Sequence, residues 1–251
     1  MPVQTIAPVV VNAPWDEKKT AGLCIPEAGK RLVDIYKLLI APDQVVELRA
    51  LDVRRGGRPH TEAGFFDADH MLDMATTALQ VSRVAKGVYF TLNPLNPDLL
   101  ARRSNKIGWA GEGELAKDKD VLARRWLLVD ADPVRDPLIS ATDAEKAAAL
   151  ETIRAVQGLL RSRAWPEPIL ADSGNGYHLL YRVDLPADDG GMVARILNMV
   201  ADKFDNERVK IDRSVFNPGR ICKLPGTWAR KGDHTPTRPH RQAQILEAPL
   251  P

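Results

Sequence analysis

The chain has 251 residues, of which 44% are apolar and 27% charged, and its formal net charge is +2. That is enough apolar material for one large core or two small ones, and too much for a disordered or fibrous chain. No apolar run reaches the roughly 20 residues of a membrane span and the first residues lack the basic-then-apolar pattern of a secretory signal, so the sequence predicts a soluble, cytoplasmic protein with no membrane partner.

Residues 1–28 carry prolines, short apolar runs and little period, and read as an N-terminal arm. Residues 29–251 read as one composite domain. Its first part, about 29–125, is an αβ unit. RLVDIYKLLI (31–40) has helical spacing, VVELRAL (45–51) reads as a strand, and a basic loop with Gly56 and Gly57 follows. After GFF (64–66), Asp67 is placed to cap a helix running to about Arg83. GVYFTLN (87–93) is a further strand, closed by the proline-rich NPLNPDLL.

The second part, about 126–248, opens on RWLLVDADPVR (125–135), an apolar strand ending in two aspartates. Thr142 and Glu145 offer a capping box, and Ile153, Val156, Leu159 and Leu160 recur at helical spacing. Then come the strand PILADS, the turn SGNG (173–176), the strand YHLLYRV, a helix from about Met192 to Phe204 and a strand ending in VKID (209–212). Strand, helix, strand, strand, helix, strand is the order of a ferredoxin-like or RNA-recognition-type sheet, so the fold class is α+β.

Three stretches carry chemistry. In VDAD, alternate side chains of an extended strand share a face, so Asp130 and Asp132 project together with Cα atoms roughly 6–7 Å apart and repel unless a cation lies between them. With Asp212 they make three acids after apolar strands, the pattern of a split site for hard cations; carboxylate oxygens suit Mg²⁺ or Mn²⁺, and two such ions hold both oxygens of a phosphoryl transfer. Taken alone, Asp132-Pro133 also reads as a turn whose acid caps backbone amides. In SGNGYH, Gly174 and Gly176 permit a tight turn whose amides can approach an anion, and His178 opens the next strand. No dinucleotide fingerprint and no P-loop occurs. In KIDRSVFNPGRICKLPGTWARKG, Asp212 is followed by Arg220, Lys223, Arg230 and Lys231, cations suited to a triphosphate. Cys24 and Cys222 form no CxxC pair, so no zinc is expected and a reducing compartment fits.

Together, VDAD, SGNGYH and KID, with RICKLPGT and ARKG downstream, resemble the archaeo-eukaryotic primase superfamily, most closely the primase-polymerases of phages, plasmids and bacterial mobile elements. The resemblance extends upstream through VVELRAL, GFFDADHML, GVYFTLNPLNPDLLARRSNKI and KDKDV. It implies an N-terminal αβ unit packed on an RNA-recognition-like unit, with the active site in the cleft between them. It further implies that Asp130, Asp132 and Asp212 hold two Mg²⁺ or Mn²⁺ ions, that Ser173, Gly176 and His178 meet the incoming nucleotide, and that Arg220 and Lys231 (or Arg230) bind its phosphates. Some relatives have serine two residues before the histidine, where this chain has Gly176. The implied activity is template-directed joining of nucleoside triphosphates on single-stranded DNA, as primer synthesis, primer extension or both. Relatives often carry a zinc-binding module or a C-terminal helicase; neither is seen here, so the expectation is a catalytic fragment or a stand-alone protein, with the helicase separate or missing.

The basic groups Arg54 to Arg58 and Arg102 to Lys106 are placed to track a template, and Trp109, Trp126 and Trp228 are candidate stacking residues, with Trp126 read mainly as core. Two other classes compete. A metal-dependent nuclease or replication-initiating nickase would use the same acids but wants a nucleophilic tyrosine or paired histidines, and no HxH motif occurs. A non-catalytic nucleic-acid-binding module gains nothing from clustered acids that repel phosphate.

Overall fold

The computed structural model describes residues 9–10 and 25–249, so most of the predicted N-terminal arm lies outside the described residues. The described chain is mixed α and β, built on two antiparallel sheets.

The first sheet contains β2 (Val46–Val53), β3 (His60–Phe66), β4 (Gly87–Thr91), β5 (Gly108–Trp109) and β10 (Ile221–Lys223), in the order β10-β4-β2-β3-β5. Two helices accompany it. In α1 (Ile25–Leu39), Leu32, Tyr36 and Leu39 recur at helical spacing and are all buried. The helix begins before residue 31, where the apolar pattern first becomes legible. The second helix, α2 (Met71–Ser82), buries Met71, Met74, Ala75, Ala78 and Val81, and follows a 3₁₀ turn that Asp67 caps by accepting from the His70 amide. The helices pack on each other, and α2 lies over β2 and β4.

The second sheet contains β1 (Val9–Val10), β6 (Ala123–Pro133), β7 (Ile169–Asp172), β8 (Tyr177–Pro186), β9 (Val209–Ile211) and β13 (Gln244–Ala248), in the order β1-β13-β7-β8-β6-β9. Helices α3 (Asp143–Ser162) and α4 (Met192–Phe204) connect β6 to β7 and β8 to β9. The capping box forms as predicted, the Thr142 hydroxyl accepting from the Glu145 amide at 3.1 Å and the Glu145 carboxylate from the Thr142 amide at 2.8 Å.

One difference from the sequence reading bears on the site. Residues 126–248 do not stay in one sheet: Ile221–Lys223 crosses over and pairs antiparallel with β4, placing Cys222 opposite Phe90 and Lys223 opposite Tyr89. Residues Trp228–Ala229 (β11) and Arg241–Gln242 (β12) then form a separate two-stranded ribbon. Side-chain to main-chain bonds also join the two parts, from the Trp126 indole to the Leu39 carbonyl at 2.9 Å and from the Tyr36 hydroxyl to the Pro225 carbonyl at 3.2 Å. A single apolar cluster runs through both sheets. No helix among the described residues is long and apolar enough to cross a membrane.

Candidate active site

Asp130 and Asp132 end β6, and the burial pattern there shows why they act together. Ala131 and Pro133 are buried, while Asp130 and Asp132 alternate with them and face a cleft of about 530 Å³. That size falls within the range of small-molecule sites, roughly 300–1,000 Å³. The floor also holds His178, directly across the strand from Asp130. The rest of the wall comes from Arg220, Lys223, Arg230 and Lys231, and from Ser173 and Asn175.

His178 is buried, with Nε2 3.5 Å from Asp130 Oδ1 and Nδ1 3.5 Å from Cys222 Sγ. Burial alone would lower its pKa, but the Asp130 carboxylate, aided by the Cys222 sulfur, reverses this and raises it well above the ordinary histidine value. Burial likewise works to raise Asp130; His178, Arg220 and Lys231 outweigh it and hold that carboxyl below its usual range. Asp132 is raised, first by burial and then by the Asp130 charge. The two carboxylates therefore titrate as a like-charge pair, with the proton favouring Asp132. At 3.5 Å, the histidine contact is a charge interaction and too long for a good hydrogen bond. Asp130 Oδ1 is accordingly buried without a hydrogen-bond partner.

Asp212 stands next to this pair without lining the cleft. Its amide donates to the Asp130 carbonyl at 2.9 Å. Its Oδ2 accepts from Arg220 at 3.1 Å, and its Oδ1 accepts from the Ser214 amide and hydroxyl at 2.8 and 2.7 Å. Among the described residues, no three His, Cys, Asp or Glu side chains converge as a formed metal centre. The chemistry of Asp130 and Asp132 nevertheless fits a hard cation, since both carboxylates line the same cleft and one buried oxygen lacks a donor. Arg220 occupies the third carboxylate.

The turn before His178 departs from its sequence reading. The Ser173 amide donates to the Gly176 carbonyl at 3.1 Å, the Gly174 amide to Asp172 Oδ1 at 2.6 Å and the Gly176 amide to Ser173 Oγ at 3.0 Å. Those amides are used inside the turn and do not cradle an anion. Gly174 takes φ of +94°, and a Cβ on Gly176 would lie 2.3 Å from Asp132 Oδ1. Gly176 thus makes room for Asp132 and does not itself line the cleft. Ser173 does line it, together with Asn175, whose side-chain oxygen accepts from the Ala141 amide at 2.8 Å.

The cations divide by commitment. Arg230 donates to the carbonyls of Ser82 and Ala85 and so ties the ribbon to the end of α2. Lys223 is buried, donates to the Trp228 carbonyl at 2.6 Å and lies 5.2 Å from the centre of the Tyr89 ring. Burial, with the Arg230 charge, lowers its pKa to about 7. Lys231 has no side-chain partner among the described residues, which makes it the freer of the two adjacent cations for a phosphate.

Sequence reasoning missed the wall supplied by the first sheet: Leu51, Asp52, Thr61, Lys86 and Tyr89. Tyr89 was legible in principle, because it alternates with the buried Val88 and Phe90. Its hydroxyl pKa is pushed up to about 12, by burial first and then by Asp130 and Asp132. Trp126 is core, Trp109 is exposed, and the Trp228 ring stacks under Arg230 at 5.2 Å.

No protein-family model matches the sequence, and no curated protein is similar to it. Among solved structures, the chain is similar to the polymerase domain of Mycobacterium tuberculosis Ligase D in complex with DNA, at 15% identity and a TM-score of 0.46, over 93% of this chain and 86% of that one. A match at this level leaves function to be argued from the site.

Proposed function

We propose that the chain is a nucleotidyltransferase that joins nucleoside triphosphates on a single-stranded DNA template, the primase-polymerase activity implied by its motifs. The observation that carries this reading is the pairing of Asp130 and Asp132, with one buried oxygen orphaned, on the floor of a cleft walled by Arg220, Lys223 and Lys231. Acids below and cations around suit a metal-bound triphosphate. The strand order β7-β8-β6-β9, with α3 and α4 as crossovers, supports the ferredoxin-like reading of the second unit.

In this reading Asp130 and Asp132 hold Mg²⁺ or Mn²⁺, with Asp212 as third ligand. Bound there, such ions would supply Lewis-acid chemistry, lowering the pKa of a 3′-hydroxyl and offsetting charge on pyrophosphate. His178, charged against Asp130, fixes the orientation of that carboxylate. Lys231 and Arg220 receive the phosphates, and Arg220 releases Asp212 as it does so. Ser173 Oγ accepts from the Gly176 amide and keeps its own proton for a phosphate oxygen. Positioning and charge stabilisation supply most of the acceleration.

The test is incorporation of labelled nucleotides on single-stranded DNA with Mg²⁺ or Mn²⁺, with and without a primer. Comparing the native chain with Asp130→Ala and Asp212→Ala, extension lost in both variants supports the proposal. Product formed without a primer adds priming. Metal-dependent cutting of the template in place of extension would overturn it in favour of the nuclease. Tyr89 gives the nickase reading a tyrosine in the cleft, but a hydroxyl pushed up to about 12 is poorly prepared to attack. A covalent protein–DNA adduct that disappears in Tyr89→Phe would reverse that judgement.

A further inference from the structure

The cleft does not end at Lys86 and Arg230. These two residues and Asp52 also line a second, open trench of about 420 Å³, continued by Arg54, Arg83, Asp233 and His240. The trench holds four cations against two acids. One acid, Asp52, is 3.5 Å from Lys86. Arg230 is committed to the Ser82 and Ala85 carbonyls. Arg54 and Arg83 are both exposed, and neither guanidinium has a partner among the described residues.

Neighbouring cations are committed elsewhere. Arg55 is held by Glu62 at 2.8 Å, and Arg103 by the Ala63 and Gly108 carbonyls at 2.8 and 3.1 Å. Neither Arg102, Arg103 nor Lys106 lines the cleft or the trench. Of the two basic groups in the sequence, only the one at the β2–β3 hairpin therefore borders the site. At its tip, a Cβ on Gly56 or Gly57 would meet nothing within 4 Å, so the approach is open. A polymer with its reacting end at Asp130 must leave the cleft, and this opening offers it unpaired cations and the exposed side chain of Leu138 as an apolar wall.

We propose that this trench carries the phosphodiester backbone of a single nucleic-acid strand running out of the cleft, with Arg54 and Arg83 as its phosphate contacts. The inference rests on the nucleotidyl-transfer reading and names where its polymeric substrate lies. Strand binding needs no turnover, so the two can fail separately.

The experiment measures anisotropy of a fluorescein-labelled oligothymidylate across a salt series, without nucleotide or metal. It compares the native chain, Arg54→Glu with Arg83→Glu, the milder Arg54→Gln with Arg83→Gln, and a control of equal charge change, Arg163→Glu with Lys203→Glu, which line a groove between α3 and α4. Each single-strand phosphate contact contributes about 0.7 to the slope of log affinity against log salt. Both trench variants are expected to make the slope shallower by about 1.4, and the control to leave it unchanged. Equal effects in trench and control variants would overturn the trench while leaving nucleotidyl transfer standing. Inorganic triphosphate that displaces the oligonucleotide from the native chain and from the control, but not from the trench variants, would assign the trench to free phosphate and overturn the strand. No binding by the native chain, alongside intact incorporation, would likewise remove it.

Discussion

Gly176 shows how narrowly the acidic pair is built. Any side chain there would place its first carbon 2.3 Å from Asp132 Oδ1 and 2.4 Å from the Ala131 carbonyl, distances no packed carbon tolerates. The prediction is that Gly176→Ala forces both the β6 backbone at the Ala131 carbonyl and the Asp132 carboxylate to shift, because a backbone oxygen cannot swing aside as a flexible side chain does. Nucleotide incorporation should fall by about 10²-fold, the cost of an ångström-scale misplacement, and the thermal midpoint should fall as well, overpacking that moves backbone typically costing about 1–3 kcal/mol. Unaltered incorporation would show that the position of Asp132 does not matter. Lys223 gives a pH dependence whose sign follows from burial. An anion in the cleft favours the ammonium, and the free residue loses its proton near pH 7. Triphosphate affinity should therefore weaken as pH rises above about 7.5, by at most tenfold per unit, and binding should take up a proton. Titration calorimetry in two buffers of different ionisation enthalpy measures that proton, and Lys223→Met should abolish the uptake. A native profile as flat as that of the variant would exclude Lys223 from the phosphates.

At the scale of elements, the 173–176 turn is held from outside as much as from within. Lys146, in the second turn of α3, donates to Asp172 Oδ1 at 2.6 Å, with its ammonium 4.2 Å from the centre of the Tyr177 ring. The same carboxylate oxygen accepts from the Gly174 amide. Removing the lysine would leave a buried carboxylate with one amide donor, and loss of one partner from such a pair typically costs about 3–5 kcal/mol. Lys146→Met is predicted to lower stability by at least about 2 kcal/mol in a denaturant titration, the lower figure allowing for the remaining amide donor. A loss below about 0.5 kcal/mol would mean the pair behaves as a surface ion pair. This network also marks a limit of sequence reading. SGNG announces a turn, and Thr142 with Glu145 announces a helix start, because both are local. That Asp172 and Ser173 take the Gly174 and Gly176 amides depends on where their side chains lie, which composition does not encode. The anion-cradle reading is thereby narrowed, three of the amides being engaged within the turn, while the turn itself is found.

At the scale of the molecule, the crossing of Ile221–Lys223 was the feature least legible in the sequence. Three residues carry no usable alternation, and their partner strand lies more than 100 positions earlier. The order of elements in the second unit was legible because each helix and strand has its own period and caps. The crossing has a thermodynamic consequence. With β10 hydrogen-bonded to β4, Arg220 bound to Asp212 at the end of β9, and the Trp126 indole donating to the Leu39 carbonyl, neither sheet can unfold without exposing part of the other. The apolar cluster shared by both sheets points the same way. For a chain of 251 residues, independent units or populated intermediates would be the common outcome. Here the prediction is a single cooperative transition, with far-UV circular dichroism and tryptophan fluorescence sharing one midpoint in urea. Fluorescence reports on both parts, since Trp109 lies in the first sheet and Trp165 lies against Tyr181 of the second, ring centres 5.1 Å apart. Trp126→Phe removes the indole donor and should lower that common midpoint without splitting it. Two midpoints in the native chain would show that the sheets unfold separately, and the cleft between them would then be an interface able to open without global unfolding.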